Sequence, residues 1–254
     1  MKVGDRVAMY WSCHKLYNIL PENNVLKIEY DNISFEDAAV CHIGNFSLEA
    51  IRKTRLETGE SAMVMGLGTL GLISVLYANK AGAVPVIAVD PIEERRNKAL
   101  KFGADYALDP FRSDFTKKVK MLSEGGINAA IEVTGLGIGL TQCLDCMAKF
   151  GRVALLGCTR DKNFTIDYYR KVHGPGISLI GAHTMARPKP DSYPGSFTHR
   201  DDIKAQLKLI EMKRINLKAM IDETHSPSEC AEVYSRLVNE RNFPTFVQFD
   251  WREV

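Results

Sequence analysis

The sequence predicts an α/β chain, a doubly wound parallel sheet covered by helices, with a second and incomplete domain formed by its two ends. Three observations carry that prediction. Short β-branched runs alternate with helical patterns through the middle of the chain, as in a parallel sheet whose connections are helices. The run Gly66-Leu67-Gly68-Thr69-Leu70-Gly71 stands between an apolar strand pattern and a helix pattern. The first 43 residues and those after 187 lack this alternation.

Strands are expected over 62–65, 84–89, 129–133, 152–156 and 177–181, with a further short strand after the turn at Gly103-Ala104-Asp105. Helices are expected over 70–81, 93–102, 114–123 and 139–149, and Gly82 and Gly103 fall where helix C-caps belong. At the amino end, 4–9 and 17–20 read as short strands, the second stopped by Pro21. Ser34-Phe35-Glu36-Asp37 has the form of a capping box opening a helix. Toward the other end, 201–213 reads as a helix. Ser226-Pro227-Ser228-Glu229 starts another that runs to about Asn239. Residues 245–249 read as a closing strand, and 187–199, rich in Pro, Ser and Gly, as a loop and hinge.

Composition narrows the function classes. The chain has 254 residues, 45% hydrophobic and 25% charged, which is ordinary for a globular protein. A net charge of +2 with interspersed signs argues against nucleic-acid binding. The longest apolar run, 62–78, contains three glycines and reads as strand, turn and helix rather than a membrane span. The six cysteines show no disulfide spacing, and no leader pattern opens the sequence. A cytoplasmic protein with reduced thiols is expected.

A glycine triplet alone is weak evidence, but here it follows a strand, opens a helix, and is followed nineteen residues after Gly71 by a strand ending in Asp90. Gly66 permits the tight turn, Gly68 lets a diphosphate approach the backbone, and Gly71 lets the helix pack closely on the sheet. Thr69 and Leu70 lie in the first helical turn, where free N–H groups and the helix dipole favour an anion. Asp90 can accept hydrogen bonds from ribose hydroxyls and would repel a 2′-phosphate. The pattern therefore points to a Rossmann-type dinucleotide site with NAD preferred over NADP, a preference that Arg95 and Arg96 weaken. A methyltransferase reading fits the first turn as well, but the three-glycine spacing and the strand returns near Gly157 and Gly181 argue against it.

Other residues have bland readings. Cys143-Leu144-Asp145-Cys146 has C-x-x-C spacing but lies within the expected helix, where both thiols can face the sheet. Cys13 and His14 are adjacent but make no metal site, while His14 could meet a substrate. His173, His199 and His225 are expected in solvated loops.

Gly4-Asp5-Arg6-Val7, the glycine turn, Val86-Ile87-Ala88-Val89-Asp90 and Lys101-Phe102-Gly103-Ala104-Asp105 together resemble the medium-chain dehydrogenase/reductase superfamily, closest to its zinc-type alcohol and polyol dehydrogenases. Ile131-Glu132-Val133-Thr134-Gly135 and 151–157 (Gly-Arg-Val-Ala-Leu-Leu-Gly) extend the resemblance. It implies an oxidoreductase moving a hydride between nicotinamide and an alcohol or polyol carbon. Arg95 would lie near the adenine ribose. Thr134, Gly135, Leu156, Gly157 and Cys158 would line the nicotinamide half, with Ala182 and His183 close by. A homodimer would form along the edge strand at 177–180.

Against the resemblance, Gly-Asp-Arg-Val begins at residue 4, so most of a GroES-like catalytic domain has no counterpart. The division expected is a remnant of that domain over 1–43, the NAD-binding domain over 44–187, and a return to the catalytic domain over 188–254. No structural zinc lobe follows residue 7, and a catalytic zinc is not expected. His42 falls where the family places a zinc ligand. Three readings stand open for it: a proton-transfer group facing substrate, a metal ligand, or a half-buried histidine bonded to backbone. The alternative function is a non-catalytic NAD-binding relative, a sensor or subunit.

Overall fold

The computed structural model describes residues 1–159 and 163–253. The chain packs as two units, Met1–His42 with Arg200–Val254 and Ile43–His199. Each follows from a different pattern of apolar residues.

In the first unit, β1 (Val7–Met9) pairs antiparallel with β2 (Val25–Lys27). The strand expected over 17–20 does not form. Tyr17 and Ile19 stand out in solvent with no sheet beside them, and Pro21, which has no amide to donate, precedes a single 3-10 turn at Glu22–Asn24. The strand comes after that turn instead, where Leu26 can be buried between two outward neighbours. Ser34 then caps α1 (Phe35–Thr54). Its hydroxyl accepts from the Asp37 amide at 3.0 Å and donates to the Asp37 carboxylate at 2.8 Å.

The second unit grows from apolar runs. β3 (Ala62–Met65), α2 (Thr69–Lys80), β4 (Val86–Val89), α3 (Glu93–Lys101), β5 (Tyr106–Leu108), α4 (Phe115–Leu122), β6 (Ile127–Glu132), α5 (Gly137–Asp145), β7 (Met147–Leu155) and β8 (Ser178–Gly181) follow in order. All six strands are parallel, in the order β5-β4-β3-β6-β7-β8. This is the doubly wound Rossmann arrangement, with winding that leaves β3 in both directions. β3 and β4 are buried throughout, as a sheet covered on both faces requires. Met63, Ile87, Ala130 and Val153 cluster with Phe115 and Val119 of α4 and Leu140 and Leu144 of α5.

One helix is shorter than its pattern suggests. α5 stops at Asp145, and Met147 already pairs with Ile127 across the sheet. The run from Met147 continues the apolar spacing of a helix, but strand pairing and burial of Met147 win over local propensity. Cys143 and Cys146 are both fully buried and pack in the core cluster. Burial pushes the Cys146 thiol up to about 12 and raises the Cys143 thiol well above its ordinary value, so neither is a thiolate nucleophile at neutral pH.

The loop over 187–199 is tied to the second unit. The Ser196 hydroxyl donates to the buried Glu49 carboxylate at 2.8 Å, and the Arg187 guanidinium donates to the Asn45 carbonyl at 2.9 Å. His199 is not solvated as expected. It is buried at the start of α6 (His199–Glu211), where its carbonyl accepts from the Asn45 side chain at 2.8 Å. The chain ends with β9 (Glu223–His225), α7 (Cys230–Asn239) and β10 (Val247–Phe249), the two strands pairing in parallel. The Ser226 box precedes α7 with both reciprocal bonds made. His225 is not free in solvent either: its ring lies 2.8 Å from Glu223 and 3.3 Å from Glu229. Among the described residues no helix is long and apolar enough to cross a membrane.

Candidate functional site

Strand order reverses between β3 and β6, and in open α/β sheets ligands bind in the crevice outside the carboxyl ends of the strands at that point. The loop leaving β3 is the glycine turn. Gly66 takes a left-handed conformation (φ +96°) and donates its amide to the Val89 carbonyl at 2.8 Å. A side chain at Gly71 would begin 1.9 Å from the Gly66 carbonyl oxygen, so the first turn of α2 rests directly on that bend. Gly68 differs: a Cβ there would meet nothing within 4 Å. Gly68 is thus the position where the backbone opens onto free space before a helix N-terminus. No acidic side chain occupies the first turn of α2, so the helix itself supplies no carboxylate at its positive end.

Asp90 closes β4 beside this turn. Its carboxylate is buried and accepts from the Leu67 amide at 2.8 Å and, through the other oxygen, from the Ile92 amide at 2.8 Å. The Arg95 guanidinium lies 3.8 Å from the same carboxylate. Arg96 is occupied by backbone, donating to the carbonyls of Asp90 and Pro91 at 2.8 and 2.9 Å.

The loop leaving β6 faces the glycine turn. A Cβ on Gly66 would lie 2.9 Å from the Thr134 methyl, so the two loops touch. Gly135 is left-handed (φ +65°), and its Cβ would meet the Cys158 carbonyl at 2.6 Å. Gly157 approaches in turn: a Cβ there would lie 2.3 Å from the Gly135 amide. Gly66, Thr134, Gly135, Gly157 and Cys158 are therefore nested at the strand ends, with Leu156 buried behind them. Ala182, at the end of β8, donates its amide to the Leu155 carbonyl at 3.1 Å. His183 is exposed, and its ring accepts from the Met185 amide at 3.2 Å.

Sequence reasoning passed over one residue of this nest. Glu132 is buried at the end of β6, and its carboxylate accepts from the amides of Thr134 and Gly135 at 2.8 and 3.2 Å and from the Thr134 hydroxyl. Burial raises its pKa above the ordinary carboxylate value, against these hydrogen bonds. The available signal was an acidic residue ending a strand otherwise free of charge.

His42 belongs to the other unit, on α1. It is half-buried, edge-on to Trp11 with ring centroids 5.0 Å apart. It lines a groove of about 500 Å³ with Ser12, Cys13, His14 and Lys15. His14 packs edge-on to Phe249 at 6.0 Å. Among the described residues, no three His, Cys, Asp or Glu side chains are grouped to hold a metal.

Known proteins share this architecture. The chain is 27% identical over 240 residues to D-guloside 3-dehydrogenase of Shigella flexneri, covering 94% of this chain and 68% of that protein. It is 34% identical over 167 residues to L-threonine 3-dehydrogenase of Pyrococcus furiosus, covering 65% and 47% respectively. Among solved structures, benzyl alcohol dehydrogenase of Acinetobacter calcoaceticus superposes with a TM-score of 0.76 at 21% identity, over 89% of this chain and 60% of that one. For 2R,3R-butanediol dehydrogenase of Bacillus subtilis the TM-score is 0.71 at 24% identity, over 85% and 58%. The chain thus spans about three fifths of these two solved proteins. Residues 69–198 match the family described as zinc-binding dehydrogenase. The parallel sheet, the glycine turn and this match together make the chain a member of that family, within the medium-chain dehydrogenase/reductase superfamily.

Proposed function

We propose that the Ile43–His199 unit binds a nicotinamide dinucleotide, NAD in preference to NADP, and that the chain serves reversible oxidation of an alcohol or polyol carbon. The observation that carries this reading is the open backbone at Gly68, set before a helix N-terminus, with the buried Asp90 carboxylate bonded to the neighbouring Leu67 amide. When bound, the cofactor supplies or accepts the hydride. The residues of the chain do the holding. Amides of Gly68, Thr69, Leu70 and Gly71 meet the diphosphate, and Asp90 accepts from the adenine-ribose hydroxyls with Arg95 at its side. Thr134, Gly135, Leu156, Gly157, Cys158, Ala182 and His183 line the nicotinamide half. His42 is our candidate for moving the proton at the substrate oxygen. Two relatives that carry dehydrogenase names, with sugar-derived and amino-acid substrates in those names, support a small hydroxylated substrate. A second copy would pair along β8, which has a strand neighbour on one side only.

A fluorescence titration with NADH tests the reading. Saturable binding is expected, with NADPH weaker. Asp90→Asn removes the charge that repels a 2′-phosphate and should narrow the preference for NADH by about tenfold. No binding of either nucleotide would overturn the proposal, and an unchanged preference would remove Asp90 as its source.

A further inference from the structure

We infer that Glu132 is a positioning residue: it holds the loops after β6 and β7 in register and so sets the width of the crevice on its nicotinamide side. This rests on the dinucleotide reading above and assigns a residue to it that touches no cofactor. The argument is geometric. The Glu132 carboxylate binds the loop after β6 through the Thr134 amide and hydroxyl and the Gly135 amide. Its main-chain carbonyl binds the loop after β7, accepting from the amides of Leu156 at 2.9 Å and Gly157 at 2.8 Å. Next in the chain, the Val133 amide donates to the Met65 carbonyl at 2.9 Å, which ties the same point to β3. Two adjacent residues therefore fasten two loops and the end of β3 at the switch point.

The Thr134 hydroxyl also accepts from the Leu136 amide at 3.0 Å, which orders the entry to α5. There is no slack in this arrangement. Gly66, Gly135 and Gly157 each have backbone or the Thr134 methyl within 3 Å of where a Cβ would sit, so a shift of the 134–135 turn must move its neighbours. A buried carboxylate suits the task because it accepts from three donors at once. Glutamine matches its shape but presents an NH₂ group to one of those donors.

The test compares whole-cofactor binding with binding of its adenine half. The chain, Glu132→Gln and Thr134→Val are each titrated with NADH and with AMP, with thermal unfolding recorded in parallel. AMP reports the glycine turn and Asp90, while NADH also needs the far side of the crevice. Expected for Glu132→Gln is NADH binding weakened about tenfold, the scale of one lost hydrogen bond to a charged acceptor, with AMP binding within about twofold of the parent. Thr134→Val, which keeps the shape and removes the hydroxyl, should move NADH binding in the same direction by a smaller factor. If Glu132→Gln does not fold, Glu132→Asp, which keeps the carboxylate on a shorter arm, carries the test. Unchanged NADH binding in the folded variants overturns the role of Glu132 alone. Equal loss of NADH and AMP reduces it to general stability and overturns it too. A parent chain that binds neither ligand overturns the dinucleotide reading, and this inference with it.

Discussion

In the Ile43–His199 unit, β3 and β4 are buried along their whole length, and the loops leaving β6 and β7 touch backbone to backbone. Among the described residues of the other unit no strand exceeds three residues, each pairs with a single neighbour, and Tyr17, Ile19, Tyr234, Leu237 and Val238 are exposed. The difference shows where rigidity is available for a site. A parallel sheet closed on both faces fixes its strand ends, so loops leaving them can be packed to fractions of an ångström. Short open ladders fix much less, and the groove beside His42 takes part of its wall from β1 and β10, with Phe35, Ala38, Ala39 and Val40 of α1 beside them. Precision sites are better carried by rigid elements, and the crevice at the strand ends is the one so supported.

The contrast can be broken most sharply at Gly71. Replacing it with valine forces a Cβ to 1.9 Å from the Gly66 carbonyl, a clash with backbone that no rotamer relieves. We expect a loss of about 4 kcal/mol or failure to fold, read by urea unfolding. A stable variant that still binds NADH would show that the turn is not packed as described. A smaller effect is expected from truncating apolar side chains in the two units. Met63→Ala in the fully buried centre of β3 should cost about 3 kcal/mol. Leu237→Ala on the exposed side of α7 should change stability by less than about 0.5 kcal/mol. Similar losses at both sites would refute the difference in packing.

The smallest expected effect sharpens the comparison on the open side. His225 is flanked by Glu223 and Glu229, and the hydrogen bond to Glu223 comes first among the causes that raise its pKa above 6.5. Arg236 and His225 hold Glu223 down to about 2, so that carboxylate stays charged throughout. A raised folded-state pKa means the pairing adds stability fully below 6.5 and loses it as pH rises through the folded value. Amide exchange in α7, corrected for intrinsic rates, should be slower relative to the buried sheet at about pH 5.5 than at about pH 8.5. No relative change would remove His225 as a contributor.

Much of the sheet was legible because periodicity is strong where burial is complete. The run Ala62-Met63-Val64-Met65 has no polar face and forms the strand expected. Ser226-Pro227-Ser228-Glu229 announces a helix start through chemistry local to four residues. The readings that missed depend on distant partners. Residues 17–20 have strand-forming side chains but no neighbour to pair with. Residues 147–149 read as helix until Ile127, far back in the chain, offers a ladder. Glu132 was passed over as a site residue because its value lies in a turn that begins two residues later and in the loop after β7. The glycine turn was found easily because each of its constraints is written within six residues.

The strand order has a consequence for how the chain comes to be made. β3 finds its first neighbour soon, since β4 follows directly after α2, but its other neighbour is β6, with Ala62 opposite Ala129. During synthesis a wholly apolar strand therefore leaves the ribosome and waits, with one hydrogen-bonding edge bare, until a long further stretch has emerged. Loop closure over that span is slow and exposes sticky surface meanwhile. The same topology that creates the crevice leaves the first half of this sheet with an unpaired apolar edge until β6 has been made.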